Sequence, residues 1–318
     1  MKNYIIGIDL GGTKITTAIS DLTGQIIEKT TLATGAALGE EVVLARIIDS
    51  VSMVLEASQI REEDVRAIGI GSPGPLDAKL GKILTTPNLP FKNYDIVSPI
   101  RKRFGIPVFL DNDANVAALG EYTFGAGKGT QNLVYMTVST GVGGGAVLNG
   151  RPYRGNTSNA LEIGHMTIEP SSRYQCNCGN YGDVEALCSG TAIAKRATEA
   201  VQEGRETKLK DHDIITSYEV YQAYLEGDKV AVEILDSALE YLGIAVANLI
   251  LAFDPEIIVI GGGVSKMGKM FFDKIEASAR KRCFSFMVDS TRILPSELGQ
   301  DTGVVGALAL GLIESEVK

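Results

Sequence analysis

Four polar residues fall within five positions at Asp111-Asn112-Asp113-Ala114-Asn115, directly after an apolar run and before an alanine-rich stretch. Such side chains cap the open amides of a helix start. A carboxylate at a strand tip can equally take the proton of a substrate hydroxyl. The cluster alone serves either purpose.

Two glycine turns carry further chemistry. In Asp9-Leu10-Gly11-Gly12-Thr13-Lys14 the amides of Gly11 and Gly12, the Thr13 hydroxyl and the Lys14 ammonium suit phosphate oxygens, and Asp9 suits a hydrated Mg²⁺. Ser139-Thr140-Gly141-Val142-Gly143-Gly144-Gly145 offers Thr140 and Gly141 in the same way. One such turn needs glycine for its shape alone. Two of them, one in each half of the chain, describe a nucleotide clamp. Gly261-Gly262-Gly263 would be a third wall, where missing side chains admit a flat adenosine. No GxxxxGK[ST] loop occurs. His165, Cys176 and Cys178 are donors of the kind zinc takes.

The elements that must hold these residues follow from apolar spacing. Strands are expected at 4–10, 14–21 and after the Gly24 turn to residue 32, then a helix over 40–58 and, over 65–74, a strand ending in a Gly/Pro turn. A short helix over 98–105, a strand ending at the 111–115 cluster and a helix over 115–125 come next. The rhythm of strand, glycine turn, strand and second glycine turn then recurs over 132–153, which points to a duplicated α/β domain. The second half predicts helices over 184–201, 216–225 and 228–253, a β-branched strand at 257–260, an amphipathic helix over 270–283 and an apolar helix over 303–316.

The 318 residues are 45% hydrophobic and 22% charged, an ordinary globular balance, with a net charge of −9. Nothing in that charge draws the chain to nucleic acid or anionic membrane. No uninterrupted apolar run reaches the roughly 18–20 residues of a membrane span. Four cysteines in 318 residues are too sparse for a disulfide scaffold, so a cytoplasmic location is expected.

Taken together, DLGGTK (9–14), GSPGP (71–75), TPNLP (86–90), DNDANVAALGE (111–121), STGVGGG (139–145), LEIGHM (161–166), CNCGNYGDVE (176–185) and IGGGVS (260–265) resemble the ROK family of sugar kinases and repressors. The resemblance runs nearly end to end. It implies two actin-like, ribonuclease-H-like domains with a cleft between them: 1–118 completed by 303–318, and 119–302 with a metal-site loop at 165–183. It implies Asp113 as catalytic base, Asn112 on a neighbouring sugar hydroxyl, and further sugar contacts from Gly74, Asn88, Glu162, His165 and Glu185. The family closes its zinc site with a cysteine where this chain has Asp183, so Asp183, a water or Cys188 would complete the set, or the metal is absent. Leu161 stands where the family usually has glycine.

The implied reaction is Mg²⁺-dependent transfer of the ATP γ-phosphoryl group to a hexose, glucose first, with fructose, mannose, N-acetylhexosamines, allose and glucosides open. Domain closure on the sugar would keep water from the phosphate. A homodimer is expected. A repressor would need a DNA-binding domain, whereas only three residues precede the first strand. A non-catalytic sugar binder would not need Asp9, Lys14 and Asp113, and an actin- or chaperone-like ATPase would not need Glu162, His165 and Glu185.

Overall fold

The computed structural model describes residues 2–86 and 88–316. It divides into two compact units: Met1–Gln131, Gly145–Ala160 and Glu297–Lys318 form one, and Asn132–Gly144 with Leu161–Ser296 the other.

The first unit opens with an antiparallel meander, β1 (Tyr4–Leu10), β2 (Lys14–Asp21) and β3 (Ile26–Ala33). β1 is buried along nearly its whole length, whereas β3 alternates half-buried and exposed residues, as central and edge strands do. Helix α1 (Glu40–Ser58) lays Val43, Ile47, Val51 and Val54 on this sheet. β4 (Val65–Ser72) then pairs parallel to β1. A small antiparallel sheet that the apolar pattern did not foretell follows: β5 (Leu76–Asp77), β6 (Lys82–Thr85) and β7 (Lys92–Asp95). After α2 (Val97–Phe104) comes β8 (Val108–Asn112), parallel to β4, and the chain turns straight into α3 (Asp113–Phe124). The strand order is β3-β2-β1-β4-β8. Gly69-Ile70-Gly71-Ser72-Pro73-Gly74 has the letters of a dinucleotide fingerprint, but its first two glycines lie inside β4 and no helix follows.

The second unit begins with β9 (Leu133–Val138), and a turn at Ser139–Gly141 leads into β10 (Val142–Leu148). The later half of β10 and β11 (Arg151–Pro152) belong to the first unit. Helices α4 (Val184–Cys188), α5 (Gly190–Gln202), α6 (Ser217–Leu225) and α7 (Lys229–Phe253) come next, then β12 (Ile257–Gly261), α8 (Lys269–Arg280), α9 (Ser285–Ser290) and β13 (Arg292–Pro295). β12 lies parallel between β9 and β13. The order β10-β9-β12-β13 thus repeats β2-β1-β4-β8, the topological form of the rhythm seen in the sequence.

The single helix expected over 184–201 is broken at Ser189, which adopts an extended conformation and caps α5 by accepting the Ala192 N–H at 3.1 Å. Serine favours that cap over a helix interior. Helix α7 is apolar enough by composition to cross a membrane, with a mean hydropathy of 1.6 over 18 residues. Instead it is the core helix of its unit, packed by α4, α5, α6 and α8.

Helix α10 (Thr302–Glu316) returns to the first unit. Gly7 and Gly69 are paired in register across β1 and β4, and a side chain on either would strike the α10 backbone. Their absence lets the helix lie directly on the strands. Helix α3 crosses α10 where Gly120 meets Gly306. A boundary after residue 118 would cut α3, so the chain divides at 131/132 and 296/297 instead, with 145–160 also in the first unit.

Candidate active site

In the first unit, the Gly11–Lys14 turn is closed by the Gly11 N–H donating to the Lys14 carbonyl at 2.9 Å. Thr34, fully buried, fastens it from behind: its hydroxyl donates to the Gly11 carbonyl at 2.6 Å and its N–H to the Thr13 carbonyl at 3.0 Å. Thr13 and Lys14 are left exposed. A side chain at Gly12 would stand 2.7 Å from Asn88 Cβ, so the turn and the 86–90 loop touch. Asp9 sits under the first turn of α10, where a Cβ on Gly303 would be 2.6 Å from its carboxylate. Burial raises the Asp9 pKa, and the Lys14 ammonium works in the opposite direction.

The 111–115 cluster resolves into separate tasks. Asn112 is the N-cap of α3, its Oδ1 accepting the Ala114 N–H at 2.9 Å. Asp113, the first helical residue, is exposed, and its Oδ1 also accepts the Ala114 N–H, at 2.8 Å. Asp111 is fully buried and accepts from the Asn112 N–H and from Asn115 Nδ2. It is also paired with Arg154, whose Nε lies 2.6 Å from Oδ2. Gly74 lies beside Asn112, with 3.2 Å from the position of a Cβ to Asn112 Nδ2. Asn159 braces the same loop by accepting the Leu76 N–H at 3.4 Å. Arg154 and Asn159 carry no motif that sequence reasoning could seize on.

In the second unit, Glu185 is a hub. Its Oε2 accepts the Val142 N–H at 2.9 Å, which anchors the Thr140–Gly141 turn, and a side chain on Gly141 would collide with it. Its Oε1 lies 3.6 Å from Cys176 Sγ. Gly190 supports the turn from α5, donating to the Ser139 carbonyl at 2.7 Å. A cavity of about 360 Å³ opens beside it, lined by Ser139, Thr140, Thr191, Thr216, Ser217 and Gly263, among others. The three glycines at 261–263 do not act together as a wall. Gly263 lines the cavity, whereas Gly261 is packed on Tyr135 and Gly262 on the Val138 carbonyl.

His165, Cys176, Cys178 and Asp183 converge, each offering one atom within 4.8 Å of all the others. His165 Nδ1 is 3.5 Å from Asp183 Oδ2 and 3.6 Å from Cys176 Sγ, and Cys178 Sγ is 3.5 Å from Asp183 Oδ2. Zinc bonds of about 2.0–2.3 Å at tetrahedral angles set ligand atoms roughly 3.3–3.8 Å apart, so the donor set fits that metal. Asp183, rather than Cys188, completes the group. Fully buried, Asp183 spends its other oxygen on the Ala186 N–H at 2.8 Å as N-cap of α4. Burial, and then hydrogen bonding to Asp183, pushes the Cys176 thiol pKa up.

Glu162 N-caps a 3₁₀ turn at Ile163–His165 and is exposed. Residues three apart eclipse on such a turn, which puts Glu162 and His165 on one side. Leu161 just before it has φ of 65°, the left-handed region that favours glycine.

The sequence model of the ROK family matches residues 5–313. A glucokinase of Halalkalibacterium halodurans is 36% identical over 307 residues, 95% of this chain and 93% of that one. A xylose repressor of Caldicellulosiruptor bescii is 31% identical over 309 residues, 96% of this chain and 77% of that one. Among solved structures, the ROK hexokinase from Thermus thermophilus superposes with a TM-score of 0.87 at 33% identity, covering 99% of this chain and 100% of that one. A ROK family glucokinase from Streptomyces griseus, in complex with glucose and AMPPNP, gives a TM-score of 0.77 at 33% identity, covering 97% and 99%.

Proposed function

Since this chain belongs to the ROK family, we propose that it is a glucokinase, transferring the γ-phosphoryl group of ATP to the 6-hydroxyl of D-glucose. An ATP-dependent sugar kinase is the general reading, and glucose is the finer one. It draws on the glucokinase relative and on the neighbour solved with glucose and an ATP analogue.

The observation that carries the mechanism is the division of labour at 111–115. Asn112 caps α3 and Asp111 braces the turn from inside, while Asp113, the first residue of α3, presents its carboxylate at an exposed position just after β8. Asp113 accepts the sugar hydroxyl proton as that oxygen bonds to the γ-phosphorus and the bond to ADP breaks. Gly11, Gly12, Thr13 and Lys14, with Thr140 and Gly141, hold the phosphates through amides, hydroxyls and one ammonium. Gly263 and its cavity receive the adenosine. Mg²⁺, held by Asp9 through water, supplies neutralising charge when bound. Asn112, Gly74, Asn88, Glu162, His165 and Glu185 orient the sugar. His165, Cys176, Cys178 and Asp183 would hold a structural zinc, and His165, whose Nδ1 faces Cys176 and Asp183, would keep its other ring nitrogen for sugar. The protein works in the cytoplasm as a homodimer.

Asp113→Asn tests the assignment. Sugar affinity by calorimetry should persist while kcat/KM falls by at least about 10²-fold, the range for loss of a general base. Near-normal turnover would return Asp113 to a purely structural place at the helix start.

A further inference from the structure

Asp111 has no part in the proposed reaction, yet both of its oxygens are hydrogen-bonded. One oxygen accepts the Asn112 N–H at 2.8 Å and Asn115 Nδ2 at 2.9 Å; the other meets Arg154 Nε at 2.6 Å. The far edge of the same guanidinium reaches Glu314 on α10, again at 2.6 Å. Asp111 has no exposed surface, and Arg154 is only 23% exposed. Buried to that degree, the Asp111 carboxylate is paired with the Arg154 guanidinium. It also holds the N–H of the Asp111–Asn112 peptide and the Asn115 side chain, on either side of Asp113. The guanidinium is a rigid fork, so Arg154 fixes direction as well as distance, which a lysine could not. Glu314 holds the fork in turn, tying the turn to α10. Behind Arg154 lies a cavity of about 350 Å³, shared with Lys79, Ser98, Arg101 and Glu314 and roomy enough for a small planar cation.

We propose that Arg154, steadied by Glu314, is a positioning residue for phosphoryl transfer: through Asp111 it fixes the Asp111–Asn112 peptide and Asn115 in the first turn of α3, and so aims the Asp113 carboxylate that lies between them. It touches neither substrate. The proposal rests on Asp113 being the base. A shift of a reacting group by a fraction of its reach is costly in rate and cheap in binding, so the effect belongs in kcat.

Arg154→Ala, verified as folded by circular dichroism, should lose up to about 100-fold in kcat, as a small misplacement of a reacting group does, with little change in KM for glucose or ATP. Guanidinium ion at a non-denaturing concentration should restore much of that loss, and sodium chloride at equal ionic strength should not. An unchanged kcat, a loss that falls on KM, or equal response to the two salts overturns the proposal. Should Arg154→Ala fail to fold, Arg154→Lys decides, because it keeps the charge and removes the fork. A lowered kcat with KM held supports the proposal, and wild-type kcat overturns it. Combining Arg154→Lys with Asp113→Asn separates the two readings. If Arg154 acts through Asp113, the lysine variant costs nothing further in the Asp113→Asn background. A full additive loss there overturns the positioning role and leaves the base intact. Wild-type turnover in Asp113→Asn alone removes the base, and the proposal with it.

Discussion

Asp9 and Asp111 are both carboxylates of the first unit, and their surroundings differ. Asp111 is fully buried and has its cation in place. Asp9 is half-buried, and its desolvation raises its pKa against the pull of the Lys14 ammonium. A folded-state pKa above the unfolded one means the folded chain holds a proton that the unfolded chain has lost between those values. Stability therefore falls as pH rises through that window, and at neutral pH the buried charge remains a cost that bound Mg²⁺ would offset. Asp9→Asn should thus melt higher than wild type at pH 7 without ligands, with a flatter dependence on pH, while activity falls about 10–100-fold as for other outer partners of a metal. A lower melting temperature together with full activity would contradict both halves. These residue-scale roles were only partly legible. Asp9, Asp113 and the glycines stand in short runs of distinctive type, but Arg154 lies 43 positions from the aspartate it holds, with nothing beside it to mark the pairing. Leu161 shows what sequence could flag without explaining: the family's glycine position is one where φ is positive.

The metal loop is where element and chemistry coincide. Cys176 to Asp183 folds as a knuckle, with the Cys176 N–H donating to the Asn180 carbonyl at 2.8 Å and the Gly179 N–H to that of Cys176 at 3.0 Å. Few apolar side chains pack inside it, so metal binding would supply much of its order. Protein purified without chelator or metal-affinity tag should contain about one zinc per chain by elemental analysis. Cys178→Ser should raise KM for glucose more than KM for ATP, through His165. Fully active protein with almost no metal would mean the site has been lost at Asp183. Donor types foretold the cluster, but not that Asp183 also caps α4 or that Ser189 divides the following helix. Both are capping decisions, made by backbone geometry around a residue rather than by apolar spacing, and periodicity is blind to them. The small β5–β7 sheet escaped for a related reason, since strands of two to four residues leave too short an alternation to see.

For the whole molecule, the repeated strand order was visible because each half begins with an apolar run, a glycine turn and a return strand. The return of the C-terminal helix to the first unit was expected from the family likeness, whereas the place of residues 145–160 in that unit was not, because it depends on contacts far apart in sequence. The homodimer rests on family likeness, and light scattering at assay concentrations should return twice the mass of one chain; a single-chain mass would remove it. The central claim concerns the reaction itself. Wild-type protein incubated with Mg²⁺, ATP and an equimolar panel of hexoses should release ADP, and ³¹P NMR should show glucose 6-phosphate forming in equal amount and ahead of every other sugar phosphate. ADP released with inorganic phosphate and no sugar phosphate, no ADP at all, or preferential phosphorylation of another hexose would contradict the account.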